Sequence, residues 1–218
     1  MDPITGISLT PFPAGVDSTL LGTAGNDTIT GDTGNDRVFG RAGNDILAGG
    51  SGNDTIFGGR GNDTLLGGDG NDSLVGDRDN DLLVGGNGDD QLIGVSLSAT
   101  TFGRGEVDTL TGGAGADIFF LGDSTRAYYD SGTGGLGLAD YALITDFSLT
   151  TDFIQLIPRV AYLVGALPGT APTGFPTGAV IFINRDGVPG ISANDEVVAV
   201  LPGFTSADAA AITSRFLF

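Results

Sequence analysis

The chain has 218 residues, 40% of them apolar, and a formal net charge of −18 from 27 acids against nine arginines, with no lysine. That length suffices for one extended domain or two small ones with a packed core, and the acidity argues against nucleic acid and anionic membrane as partners. The absence of cysteine and histidine removes disulfides, thiol nucleophiles, and the commonest general base and zinc ligand.

The opening MDPITGISLTPFPAG has neither a basic flank nor an apolar run, so it does not read as a signal peptide. No apolar stretch is long enough for a transmembrane helix. Residues 1–21 are expected to cap the repeats that begin at Gly22, because a solenoid needs its ends covered. Leu20 falls in phase with the inward position of those repeats. Asp17 falls one place out of register with their acids and reads as an ordinary exposed acid.

From Gly22 to Phe120 the chain repeats every nine residues through eleven units. Glycine opens each unit. Position six is aspartate in all but one: Asp27, Asp36, Asp45, Asp54, Asp63, Asp72, Asp81, Asp90, Asp108 and Asp117, with Ala99 as the exception. Position eight is apolar with one exception, Thr101. A short fixed period with one acidic and one apolar position marks a solenoid. In GGSGND (Gly49 to Asp54) the glycines allow positive φ and a tight bend. The following Thr55 to Phe57 is then a short strand whose central side chain points inward. Such a strand buries too little to survive alone, and glycine-rich turns cost entropy at every unit. An acidic side chain among backbone carbonyls makes an oxygen-only cage for a hard cation, which would hold the turns.

The units GGSGNDTIF, GGRGNDTLL and GGDGNDSLV resemble the G-G-x-G-x-D-x-U-x nonapeptide of RTX (hemolysin-type) proteins, over roughly 45% of the chain. The resemblance implies an all-β fold, a right-handed parallel β-roll over residues 22–122, with successive units alternating between two sheets. It also implies calcium between turn n and turn n+2, held by the position-six aspartates and by backbone carbonyls at positions two and four, such as Gly50, Gly52, Gly59, Gly61, Gly68, Gly70, Gly86 and Gly88. One edge is then expected to stack Asp36, Asp54, Asp72, Asp90 and Asp108, and the other Asp27, Asp45, Asp63 and Asp81, followed by Ala99 and Asp117. Counting intact intervals gives roughly seven Ca2+ ions. The unit GVSLSATTF (Gly94 to Phe102) lacks the turn glycines and the acid and reads as a tolerated lapse in the roll, with an ion-free surface loop as the alternative. Asp79 and Glu106 replace glycine at position four of their units and weaken the expectation there.

Beyond Gly122 the period stops. Tyr128 to Asp140 reads as a glycine-rich linker, and ALITDF, DFIQLI, VAYLVG, AVIFIN and EVVAVL read as strands. SADAAAIT reads as a short helix with Ser206 as N-cap, before a terminal RFLF strand. GGAGADIFFLG, LITDFS and TDFIQL are similar to the closing segment of serralysin-type secreted proteases. That similarity implies that residues 123–218 form a β-rich cap carrying an uncleaved signal for the type I secretion machinery. Asp146 and Asp152 read as turn-forming acids, with a terminal ion as the alternative. Asn184 to Glu196 does not fit a helix-loop-helix calcium loop and reads as a connection with a turn at Asp186-Gly187, with an extra calcium site as the alternative.

Position nine points outward yet holds Phe39, Phe57, Val75 and Ile93 on one sheet, and Leu66, Val84, Phe102 and Phe120 on the other. Such ladders are covered by the following domain or serve self-association or a cell-surface partner. No nucleophile elbow or phosphate loop is present, and identical carboxylates recur where catalysis needs unlike environments, so the chain is not read as an enzyme. The expectation is a secreted, extracellular calcium-binding protein whose roll folds on the metal, acting as a structural, matrix or cell-surface component. The alternatives are an accessory module for export or folding of a separate enzyme, and a calcium buffer.

Overall fold

A computed structural model of the chain describes residues 6–9, 15–95, 105–122, 141–156, 162–166, 175–183 and 196–218. The expected linker at Tyr128 to Asp140, the Asp186-Gly187 turn and Phe102 lie outside these residues.

The short strands expected from the repeat run in chain order as β1 (Ser8–Leu9), β2 (Thr19–Leu21), β3 (Thr28–Thr33), β4 (Arg37–Ala42), β5 (Ile46–Ser51), β6 (Thr55–Arg60), β7 (Thr64–Asp69), β8 (Ser73–Arg78), β9 (Leu82–Asn87), β10 (Gln91–Val95), β11 (Val107–Ala114) and β12 (Ile118–Phe120). They alternate between two parallel sheets. One carries β1, β3, β5, β7, β9 and β11, the other β2, β4, β6, β8, β10 and β12. The chain is a parallel β-roll. The period dictates this: nine residues make one turn and one strand, so units two apart lie side by side, Leu47 against Ile29 and Leu65, Ile56 against Val38 and Leu74. Position-eight side chains from both sheets fill the space between them. Ile29, Val38, Leu47, Ile56, Leu65, Leu74, Leu83, Leu92, Leu110 and Phe119 are all fully buried, each worth about 1.5–3 kcal/mol relative to exposure.

The register departs from the sequence expectation at one place. β9 pairs with β11 and β10 with β12, so neighbours are here 27 residues apart instead of 18. The excess over the usual spacing is one whole period, so phase is kept. Phe120 therefore joins the column of Ile93 and not that of Leu66. Within that column Phe39 stacks on Phe57 with ring centroids 5.0 Å apart, while Val75 and Ile93 are buried.

Both sheets run past residue 122. β13 (Tyr141–Ile144) pairs parallel to β11, and β14 (Phe153–Gln155) parallel to β12, placing Ile144 and Ile154 in the inward column. β15 (Tyr162–Gly165), β16 (Ala179–Ile183) and β17 (Glu196–Leu201) then extend the first sheet, with β17 parallel to β13 and the rest antiparallel. A 3-10 turn at Ser206–Asp208 leads into α1 (Ala209–Thr213), and β18 (Phe216–Leu217) closes the second sheet against β14. The N-cap is Thr205, one place before the expected Ser206: its hydroxyl accepts the Ala207 N–H and the Asp208 carboxylate accepts the Thr205 N–H. Among the described residues no helix is long and apolar enough to cross a membrane.

Candidate metal centre

Each turn ends in its position-six aspartate, and these aspartates stack into two columns. From Asp45 and Asp54 onward, the Oδ1 of each accepts the backbone N–H of the aspartate one rung earlier in its column; Asp27 and Asp36, at the head, accept the Ile7 and Ser18 N–H. On one edge the sequence is Asp27 to Asp45, Asp63, Asp81 and Asp108, with N···O distances of 2.7, 2.8, 2.8 and 2.9 Å. On the other it is Asp36 to Asp54, Asp72, Asp90 and Asp117, at 2.7, 2.7, 2.8 and 2.9 Å. This corrects two expected neighbours: Asp108 follows Asp81 and Asp117 follows Asp90. Both columns run on without a gap where the spacing lengthens to 27 residues. Four intact intervals remain on each edge.

The second carboxylate oxygen is the informative one. The aspartates are at most 3% exposed, and Oδ2 of Asp36, Asp45, Asp54, Asp63, Asp72, Asp81, Asp90 and Asp117 is buried without a hydrogen-bond partner. A bare buried acceptor costs about 1–3 kcal/mol, more when charged, and eight in two straight columns are a pattern. What surrounds them is equally regular. A Cβ built on the opening glycine of a unit would overlap that unit's Oδ2 and, along the roll, the carbonyl oxygen of the opening glycine two strands on: Asp72 Oδ2 and Gly85 O at Gly67, Asp81 Oδ2 and Gly94 O at Gly76. These opening glycines do not adopt the left-handed φ, so they are required for space and not for conformation. Among the described residues no three acidic side chains converge on one point, so carbonyls must complete any coordination shell. Paired carboxylate and carbonyl oxygens around a gap suit a hard, oxygen-seeking cation.

Gly50, Gly52, Gly59, Gly61, Gly68, Gly70, Gly86 and Gly88, at positions two and four, do adopt positive φ, from 108° at Gly61 to 127° at Gly70. A side chain there would strike the carbonyl two units earlier, as Gly68 would strike Gly50 O. Their hydrogen atoms thus let successive turns lie carbonyl over turn.

A sequence profile of the RTX calcium-binding nonapeptide repeat matches residues 17–47, 39–74, 66–95 and 102–124. The repeats are RTX calcium-binding nonapeptides. No curated protein sequence matches the chain. Among solved structures, the AlgE6R3 subunit of the Azotobacter vinelandii mannuronan C5-epimerase is similar at 18% identity, over 96% of this chain and 82% of that one, with a TM-score of 0.28. The extracellular lipase LipA of Serratia marcescens is similar at 16% identity, over 90% of this chain and 39% of that one, with a TM-score of 0.19.

In the RTX turns the carboxylates are electrostatically unsettled. Burial, with repulsion from neighbouring carboxylates adding to it, pushes Asp63 and Asp90 up to about 7, Asp72 and Asp117 to about 6, and Asp81 to about 10. Asp45 and Asp54 rise for the same reasons. Asp27, at the end of its column, goes the other way. Burial would raise it, but hydrogen bonds from the Thr23 and Ile7 backbone and the Thr23 hydroxyl hold it below the usual range. At the far end Asp152 takes the position-six place after Asp117: Oδ1 accepts the Asp117 N–H at 3.3 Å and Oδ2 the Ser148 N–H at 2.8 Å. Asp146 accepts Gly112 N–H and Gly113 N–H, one on each oxygen. Both acids thus serve backbone donors at the end of the roll.

The sequence reading missed two features of the RTX turns. One is the opening-glycine carbonyl beside each Oδ2, signalled by a glycine that never varies. The other is position five. Asn35, Asn53 and Asn71 each accept the backbone N–H of the following rung at 2.8 to 3.0 Å, as do Asn26, Asn44 and Asn62 on the opposite edge at 2.8 to 3.1 Å. Asp17 heads the first of these ladders by accepting the Asn35 N–H at 2.8 Å, and so acts as a position-five residue. The recurring Asn-Asp pair was the available signal.

Proposed function

We propose that the chain is a secreted calcium-binding protein whose roll folds by loading its turns, with eight positions, four along each edge, and that it serves as an extracellular structural or cell-surface component. The observation that carries this reading is the double column of buried, unpartnered Oδ2 atoms facing carbonyl oxygens. Asp45, Asp63, Asp81 and Asp108 with Asp27 would hold one column of ions, and Asp54, Asp72, Asp90 and Asp117 with Asp36 the other. Carbonyls of the turn glycines at positions one, two and four would complete the shells. Calcium supplies there the positive charge that neighbouring carboxylates need in order to stay ionised together.

Extracellular calcium modules bind at about 10⁻⁴ to 10⁻³ M. At free calcium about tenfold above such a constant, each position adds roughly 1.4 kcal/mol, and eight add on the order of 11 kcal/mol, comparable to the whole stability of a domain. At cytosolic calcium that contribution nearly vanishes, which suits a chain that crosses a type I secretion channel unfolded and folds outside. A structural role in place of catalysis is supported by the absence of histidine and cysteine and by the near-identity of the acidic positions. Circular dichroism with millimolar calcium and with excess chelator tests the reading: the β signal is expected to collapse on chelation and return on recalcification. A chelated chain that keeps its full β signal and sharp unfolding transition refutes it.

A further inference from the structure

The two sheets differ on their outer faces. On the first sheet, position-seven side chains point outward in register across neighbouring strands: Thr28, Ile46, Thr64, Leu82 and Thr109. Position nine supplies a second outward column, Thr30, Ala48, Leu66, Val84 and Thr111. None of these side chains carries a charge, in a chain of net charge −18. Ile46, Leu66 and Leu82 are 50%, 38% and 39% exposed. The second sheet is unlike this. Its outer face carries Arg37, whose guanidinium lies 5.9 Å from the centre of the Phe39 ring, and its Val75 and Ile93 are already buried.

Farther along the first sheet, the chain itself closes the same face. Tyr141 of β13 joins Val180, Phe182, Val197 and Val200 in a second apolar cluster, on which Leu143 also packs, and the Phe175 ring lies 5.1 Å from that of Tyr141. From β3 to β11 the uncharged face runs on, open to solvent at its largest side chains. A contiguous exposed apolar face of this kind marks an interaction surface.

Three properties select a second copy of this chain as its occupant. Charge is the first: two copies repel through their acidic turns, and a face without charge is where they can meet. Eight calcium ions in those turns would offset about 16 of the 18 net negative charges, which lowers the remaining repulsion. Shape is the second. Ile46 and Leu82 flank Thr64, and Leu66 stands beside Ala48, so one face supplies both the knobs and the hollows that its copy needs. Area is the third: five strands at about 4.8 Å spacing offer about 500 Å² per copy, or about 1,000 Å² in all, which suits a reversible pair of micromolar affinity.

We propose that this outer face joins two copies of the chain, sheet against sheet across a two-fold axis, once calcium has folded the roll and offset its charge. The pairing goes beyond the calcium reading above and rests on it for that compensation.

The test is sedimentation of the full chain in millimolar calcium, from low micromolar to several hundred micromolar protein, for wild type, L66K, L66T/L82T and Q91K. Circular dichroism and bound calcium are measured on each to establish that it is folded and loaded. L66K puts a charge at the centre of the face. L66T/L82T keeps strand-forming residues and removes only apolar bulk, and Q91K places the same charge at an exposed position on the opposite sheet. Wild type is expected to pass from one chain's mass to two as concentration rises. L66K should stay at one, L66T/L82T should dimerise about tenfold more weakly or worse, and Q91K should match wild type. Loaded wild type that stays monomeric throughout, or both Leu66 variants pairing like wild type, or Q91K losing the dimer as L66K does, overturns the proposed face. Growth past the dimer into larger assemblies overturns the two-fold arrangement. A chain that binds no calcium yet dimerises through Leu66 upholds the face and overturns the calcium reading instead.

Discussion

Gly67→Ala places one methyl group in the gap between two oxygens. The added Cβ would sit 3.0 Å from the Asp72 Cβ and would overlap both Asp72 Oδ2 and the carbonyl oxygen of Gly85. No backbone penalty confuses the result, because Gly67 is not left-handed. Forcing an extra carbon into packed surroundings costs about 1–3 kcal/mol. Loss of one calcium position costs a further 1.4 kcal/mol or so at free calcium tenfold above its dissociation constant. Together the change is about 2.5–4 kcal/mol, and with a urea slope of about 2 kcal/mol/M the midpoint falls by about 1 to 2 M. The assay is urea unfolding at fixed millimolar calcium, paired with calorimetric stoichiometry, against wild type and the exposed-site control Ser51→Ala. The expected result is one ion fewer and the lowered midpoint for Gly67→Ala, with the control unchanged. A variant that binds the full complement of ions at an unaltered midpoint would falsify the assignment of the opening glycines to the metal gap.

Acid should act on the calcium-depleted and calcium-loaded proteins in opposite senses. Asp63 and Asp90 are raised to about 7 in the folded chain, above about 3.9 when unfolded, so the folded state binds more protons. That contribution is complete below about pH 4 and is lost as pH rises through about 7; the calcium-depleted chain, without its β signal at pH 8, is expected to recover part of it at pH 5. Calcium needs the same carboxylates ionised, so half-saturation should move to higher calcium over the same change toward acid. A calcium-depleted chain whose β signal is the same at pH 5 and pH 8, or a half-saturation that does not move with pH, would remove the carboxylate columns from the account. A third prediction concerns the period that the register passes over. Deleting residues 96–104 joins Val95 to Gly105 and leaves GVGEVD, a six-residue turn ending in Asp108, as in the other units. Ion stoichiometry should be unchanged, and the shorter turn should gain about 1 kcal/mol or less. Deleting residues 67–75 should instead remove a rung and at least one ion. Loss of the calcium-dependent β signal on deletion of 96–104 would show that the observed register is not the one the chain uses.

Much of the roll follows from local rules that a nine-residue window contains. A turn needs glycines where φ is positive, the strand needs one inward apolar side chain, and the acid stands where the turn closes; Gly49 to Phe57 displays all three. Column partners and the burial of Ile56 or Leu65 follow from repetition alone. The asparagine ladder was equally local and was overlooked because asparagine in a turn reads as turn chemistry, while its Oδ1 in fact reaches the next rung 18 residues away.

Register was a different kind of question. Skipping a whole period preserves every local feature, so the sequence favours neither the pairing of Asp81 with a ladder position at 99 nor its pairing with Asp108. The choice is made by non-local contacts, in which Leu83 meets Leu110, Leu92 meets Phe119, and both acidic columns run without a gap. The continuation through Ile144 and Ile154 was hidden for the same reason, since a strand needs no glycine turn of its own once a finished sheet edge offers it hydrogen-bond partners. Period, inward column and acidic position were set by the order of the residues; which rung lies on which was decided only when the edges of two sheets met.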